Sequence, residues 1–170
     1  LFENNETFTI NLSDATSGAV ISQSNGAAKG TIVNDEGVVI YSVTDAYAYE
    51  GQSLIFEISR NIASQYDNSL SISLSDLSAA AGSDYFNNVT AFYISGGEKI
   101  YLTVTGGVLV LPGTPDISSG IKNFYVSIAT QQDLIFEADE TFNLKLDYAY
   151  VNEAAFIISP YNNISLGTIL

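Results

Sequence analysis

The chain has 170 residues, of which 46% are hydrophobic and 12% aromatic, enough apolar material for a buried core and too much for a disordered tail. Its 19 acidic against 5 basic residues give a formal net charge of −14, which repels nucleic-acid phosphates and anionic headgroups and makes cations the natural partners. With neither Cys nor His, disulfides, zinc–thiolate sites and Ser-His or Cys-His nucleophile pairs are excluded, so any catalysis would rest on carboxylates, Lys or Tyr.

In the opening segment LFENNETFTINL, Phe8, Ile10 and Leu12 alternate with polar residues, the period-two signature of a half-buried strand. That segment returns late in the chain. Residues 1–12 align with residues 135–146, IFEADETFNLKL, which share Phe, two Glu, Thr, Phe and Leu at matched positions. A second echo follows in the same order, Gly30-Thr31-Ile32-Val33 against Gly167-Thr168-Ile169-Leu170. Two ordered anchors predict tandem domains: residues 1–37 close one repeat, with Asn34-Asp35-Glu36-Gly37 as the junction, and residues 38–170 form a second, nearly complete one. The chain starts inside a strand motif without an initiator Met, as a piece of a longer protein would. The first repeat then has only its closing part, left incomplete or disordered, or completed by another chain through strand exchange.

In the second repeat, strands are expected near 38–44, 53–60, 69–75, 89–94, 99–105, 107–111, 122–129, 140–149 and 154–158, with almost no helix. Leu54, Phe56 and Ile58, then Phe124, Val126 and Ile128, then Phe142, Leu144 and Leu146, supply inward faces. Phe142 and Phe8 are the expected core plugs. Gly96-Gly97 and Gly106-Gly107 lack the strand-then-helix context and the Lys of a phosphate loop, so they read as hairpin turns. Many short alternating strands separated by turns predict an all-β fold, an antiparallel two-sheet β-sandwich.

The residues with chemistry in them stand at expected strand ends: Glu50 in Tyr49-Glu50-Gly51, Asp84 in Ala81-Gly82-Ser83-Asp84-Tyr85, and Asp133, Glu137, Asp139 and Glu140. In an antiparallel sandwich, loops from distant segments meet at one end, so these carboxylates can converge while facing water. Calcium takes six to eight oxygens at roughly 2.3–2.6 Å and tolerates irregular geometry, whereas magnesium demands a stricter shell. Ca2+ is therefore the expected ligand. For any one of these acids the plain reading is a solvated residue at a strand entrance. The recurrence of Glu-x-x-Glu-Thr-Phe in both copies turns the set toward a metal role only together with the family resemblance described below. Asp139 is expected to point away from its neighbours. Tyr49, Tyr85, Tyr148 and Tyr150 suit either a sugar-stacking platform or ordinary edge and core packing, and packing is the stronger reading. The four Asn-x-Ser/Thr sequons are expected by chance in so polar a chain and are assigned no role.

The pattern Asp-x-x-x-Glu-x-x-Glu-Thr-Phe, here Asp133, Glu137, Glu140, Thr141 and Phe142, resembles the hallmark of the Calx-beta family. Other landmarks follow in order: Glu50-Gly51 resembles that family's early Glu-Gly turn, and Ala81-Gly82-Ser83-Asp84-Tyr85 its Gly-x-Asp-aromatic motif. Gly30-Thr31-Ile32-Val33-Asn34-Asp35-Glu36 resembles its closing Gly-Thr-Ile strand with an acidic tail. The resemblance implies an immunoglobulin-like sandwich that binds calcium at one tip, as in sodium/calcium exchangers, integrin subunits and large bacterial adhesins. By position it makes Glu50, Asp84, Asp133, Glu137 and Glu140 ligands in the second repeat, with Glu3, Glu6, Asp35 and Glu36 as partial counterparts in the first. Departures from the family pattern are Gln132, where sensor members often carry a second acid, and Asn34, in place of the first acid of the closing triplet. The second repeat also stops short of its closing acids, and a hairpin around Ser95-Gly96-Gly97-Glu98 is inserted between about 87 and 106. Fewer charged ligands imply weak binding, about 10⁻⁴–10⁻³ M, the range of extracellular modules.

These readings describe a non-catalytic, calcium-binding structural or adhesive repeat of an extracellular or cell-surface protein, in which the ion rigidifies the tip between neighbouring repeats of the same chain. The alternative is a calcium-dependent carbohydrate- or protein-binding module using the inserted hairpin, Tyr93 and Tyr101. A carboxylate-pair glycosidase lacks an evident general-acid environment. Nucleic acid is not an expected partner. Direct membrane insertion is not expected either, because the longest apolar runs are strand-sized.

Overall fold

The computed structural model describes residues 5–33, 38–113, 120–151, 154–158 and 161–170. Strands form where apolar and polar residues alternate, and no helix occurs among the described residues. In chain order they are β1 (Glu6–Asn11), β2 (Ala27–Ile32), β3 (Ile40–Val43), β4 (Ala46–Ala48), β5 (Ser53–Arg60), β6 (Asn68–Asp76) and β7 (Tyr85–Ser95). There follow β8 (Glu98–Tyr101), β9 (Val104–Thr105), β10 (Val108–Leu111), β11 (Asn123–Thr130), β12 (Glu140–Val151), β13 (Ala154–Ile158) and β14 (Ile164–Ile169). Among the described residues, no helix is long and apolar enough to cross a membrane.

Residues from 38 onward make an antiparallel, immunoglobulin-like β-sandwich. One layer runs β8-β7-β11-β5-β3 and the other β9-β10-β6-β12-β14-β4. β13 links them, pairing β12 at Ala154–Phe156 and β3 at Ile157–Ile158. Two pairings are parallel, β3 with β13 and β4 with β14. The alternation of each strand puts Leu54, Phe56 and Ile58, Phe124, Val126 and Ile128, and Phe142, Leu144 and Leu146 into a shared buried core. Phe142 is its centre toward one end, stacked on Tyr85 at 4.1 Å and met edge-on by Phe56 at 5.9 Å. Gly167 lies opposite on β14, where a Cβ would stand 2.8 Å from Phe56 and 2.9 Å from Phe142, so only glycine leaves room for both rings.

Several sequence expectations are revised. The expected strand at 99–105 is two, β8 and β9, separated by Leu102 and Thr103, and β7 begins at Tyr85, four residues before the expected 89. β4 has only three residues, too few for periodicity to reveal. Phe8, expected as a core plug like Phe142, is 50% exposed, because β1 and β2 form a separate two-stranded sheet. The turn at Gly96-Gly97 joins β7 to β8 with φ of 58° and 86°, the left-handed values of a two-residue hairpin turn.

At the end of β5 away from Glu50, Arg60 is only 2% exposed. It donates from Nε to Ile121 O (2.8 Å), from Nη1 to Asn68 Oδ1 (3.0 Å) and from Nη2 to Pro112 O (3.1 Å). Its guanidinium lies 5.1 Å over the Phe124 ring. The Tyr41 hydroxyl donates to the same Asn68 oxygen.

Candidate metal centre

The opposite end of the sandwich is where the acids meet, and backbone hydrogen bonds bring their loops together. Thr130 donates to Gln52 O from both N (2.9 Å) and Oγ1 (2.8 Å), and Gly51 N donates to Gln131 O (3.3 Å). Gln131 in turn donates from N to Asp84 O (2.8 Å) and from Nε2 to Gly82 O (2.6 Å). The segment after β11 therefore fastens the turn carrying Glu50 to the turn carrying Asp84.

The Asp84 turn is self-bracing. Asp84 Oδ2 accepts from Ala80 N (2.7 Å) and Ser83 Oγ (3.3 Å), two bonds that close the turn and fix the carboxylate. Beneath it, Asp76 Oδ1 accepts from Ala81 N (3.1 Å) and from the Tyr85 hydroxyl (2.5 Å). Tyr85 stacks on Phe142, so the turn is seated on the core. Burial, and then the bond and charge of Asp76, push the Tyr85 hydroxyl up, so it stays a neutral donor.

Glu140 opens β12 two residues before Phe142, on the same side of the strand, which places its carboxyl at the rim of the core. Thr141 N donates to Ser78 Oγ (2.8 Å) and Ala79 N to Thr141 O (2.8 Å), pinning the entry of the strand beside the Asp84 turn. One carboxylate oxygen each from Asp84, Glu137 and Glu140 lies within 4.8 Å of the others. Glu50, Asp133, Ser83 and Gln131 line the same cleft, and no Lys or Arg is among its lining residues.

Without a counter-cation these charges work against one another. Local desolvation, then Asp133, Asp84 and Glu50, raise the Glu137 carboxyl above its ordinary range. Desolvation, the charges of Asp84 and Glu137, a hydrogen bond with Asp84, and the charge of Glu50 raise Glu140 likewise. An oxygen-only donor set of high negative charge, built from several loops, fits a hard divalent ion of irregular coordination better than a soft or strictly octahedral one.

Of the acids singled out in the sequence, Asp84, Glu137 and Glu140 come together, with Glu50 and Asp133 on the same cleft. Glu6 lies on β1, opposite Ile32. Glu3, Asp35 and Glu36 fall outside the described residues. Asp139 is exposed and does not line the cleft. Gln132, which departs from an acid, donates from Nε2 to Glu50 Oε2 (3.2 Å), an amide where a second carboxylate would repel. Sequence reasoning missed Asp76, Gln131 and Ser83. Of these only Ser83, inside the Gly-Ser-Asp turn, carried a local signal. The four tyrosines do not form one platform: Tyr85 is buried, Tyr49 stands at the acidic end, and Tyr148 and Tyr150 pair with each other at 5.1 Å. Tyr93 packs edge-on against Phe124 (6.5 Å), whereas Tyr101 is exposed beside Phe92 (6.1 Å).

No protein-family model matches this sequence, and a search of curated proteins gives no match. Solved structures do share the architecture. The chain is similar to the apo form of the Calx CBD1 domain, at 18% identity and TM-score 0.54, with 79% of this chain and 97% of that one covered. It is similar also to the calcium binding domain CBD12 of CALX1.1, at 20% identity and TM-score 0.52, and to CBD12 of CALX1.2, at 18% and 0.53. Those two matches cover 76% and 77% of this chain, which spans only 44% of the length of each of those two chains. At such identities the likeness establishes the fold, a Calx-beta-like β-sandwich.

Proposed function

We propose that this chain is a non-catalytic module that binds Ca2+ between Asp84, Glu137 and Glu140, with Glu50 and Asp133 completing the oxygen shell. The carrying observation is the convergence of three carboxylates to within 4.8 Å at one end of the sandwich, from turns held in place by Gln131 and Asp76. The shared fold with a structure described as a calcium binding domain supports it. In this reading the ion supplies the positive charge that the cleft lacks and locks the three turns to one another. Isothermal calorimetry with calcium chloride on the wild-type chain and on Glu137→Gln tests it. Binding in the submillimolar to millimolar range, weakened by the substitution, is expected, and an absence of binding heat to wild type rejects it.

The wider setting is proposed on the same footing. Residues 1–37 are the closing part of one repeat and residues 38–170 a second repeat, in an extracellular or cell-surface protein whose adhesive array is stiffened by calcium at the repeat tips. The duplicated Glu-x-x-Glu-Thr-Phe and Gly-Thr-Ile segments support it.

A further inference from the structure

β1 and β2 pair in the same register as β12 and β14. Glu6 faces Ile32 as Glu140 faces Ile169, Thr7 faces Thr31 as Thr141 faces Thr168, and Phe8 faces Gly30 as Phe142 faces Gly167. The glycine has the same purpose in both: a Cβ on Gly30 would stand 2.5 Å from the Phe8 ring, and one on Gly167 2.9 Å from the Phe142 ring. Farther along, Ile10 and Leu12 take the places of Leu144 and Leu146. Only the surroundings differ. Phe8, Ile10, Leu12 and Ile32 are 50%, 57%, 63% and 54% exposed, whereas Phe142, Leu144, Leu146 and Ile169 are 0%, 0%, 1% and 4% exposed.

A two-stranded hairpin with a bare apolar face is marginal in water. What covers it is set by its twin. The Phe142 face of β12 is closed by Tyr85 and Phe56, and the edge of β12 not taken by β14 pairs with β6, Phe142 opposite Asp76 and Leu144 opposite Leu74. Among the described residues, that second edge of β1 carries no strand.

We infer that β1 and β2 are an acceptor surface for a preceding stretch of the same polypeptide built like residues 38–134. That stretch lays a β6-like strand along the open edge of β1 and an aromatic pair against Phe8. Docking also carries Glu6 to the rim position that Glu140 occupies, beside the partner's counterpart of the Asp84 turn. The inference rests on the tandem-repeat reading above and gives it a defined surface and partner. A second copy of the whole chain is a poorer occupant, because its own β12 and β14 already fill the complementary place.

The test lengthens the chain by joining a copy of residues 38–134 directly ahead of Leu1, so that residues 1–33 follow a front half as residues 135–170 follow theirs. The chain contains no Cys, so Ile10→Cys and Asn11→Cys report separately on the apolar and polar faces of β1. In the 170-residue chain both are expected to react readily with a maleimide. In the lengthened chain Ile10→Cys is expected to slow by at least about 100-fold, as for a site reached only by local opening, with Asn11→Cys unchanged. Equal reactivity of Ile10→Cys in the two chains overturns the inference. So does protection already present in the 170-residue chain, which with a dimer in sedimentation would assign the face to strand exchange between copies. All reactions are run in EDTA, so the outcome is independent of whether the acidic cleft binds calcium.

Discussion

At one end of β5 and β11 the fold gathers carboxylates in a cleft that, among the described residues, no Lys or Arg lines, and at the other it buries Arg60 among neutral acceptors. Arg60 is fully served by the chain itself: Asn68, Ile121 and Pro112 supply oxygens at 2.8–3.1 Å, and Phe124 supplies a ring face. Burial lowers its pKa, and fixed dipoles hold the charge in place. The acidic end has comparable scaffolding, with Gln131 and Asp76 bracing the turns, yet the charges of Glu137 and Glu140 are opposed by those around them. The difference separates a charge satisfied by folding from charges that folding leaves in mutual opposition.

The largest effect is expected at the satisfied end. Arg60→Met strands two half-buried carbonyl acceptors, Ile121 O and Pro112 O, and leaves Asn68 Oδ1 to the Tyr41 hydroxyl alone, and urea unfolding should show a loss of about 3–5 kcal/mol. A loss below about 1 kcal/mol would mean that water takes over those acceptors and that the two ends are less different than they look. Next comes calcium itself, which at a hundredfold excess over Kd should stabilise the wild-type chain by about 2.7 kcal/mol, read as a rise in Tm over EDTA. Arg60→Met should keep that full increment, since the two ends share no hydrogen-bond partners.

Glu137→Gln sharpens the contrast, because removing one repelling charge should raise the Tm in EDTA slightly while diminishing the calcium-induced rise. A variant less stable than wild type in EDTA would show that the cleft is not self-repelling. The smallest expected effect is on pH. Glu137 and Glu140 have folded-state pKa values raised above the ordinary 4.5, so in the window between 4.5 and the raised values the native state holds more protons than the unfolded chain. Their contribution is therefore present below that window and lost as pH rises through it. In EDTA, Tm should drift down on this account as pH rises above 4.5, and saturating calcium should remove the drift.

Much of the sandwich can be read directly from alternation. Phe142, Leu144 and Leu146 announce β12, and Phe124, Val126 and Ile128 announce β11, because a strand with one buried face must carry period two. What alternation cannot report is whether a partner is present. Phe8 has the same local pattern as Phe142 but half its surface is bare, since burial is a property of the second sheet and not of the strand. The acids divide similarly. Asp84, Glu137 and Glu140 were marked by their turn and strand-entry motifs, whereas Asp76 matters only because the β6–β12 register sets it under the Ala81 amide and the Tyr85 hydroxyl. Gln132 looked like a missing ligand, and its amide bond to Glu50 becomes visible only when two loops far apart in the chain are side by side.

The two parallel pairings have a mechanical consequence. β3 and β4 begin the sandwich, β13 and β14 end it, and each early strand runs alongside and in the same direction as its late partner. Tension applied at residues 40 and 169 slides those partners lengthwise past each other, so the evenly spaced bonds of each ladder strain together instead of unzipping singly. Resistance to stretching is then governed by the rate of crossing one steep barrier, and it resides in two short ladders, one of them ending beside Glu140.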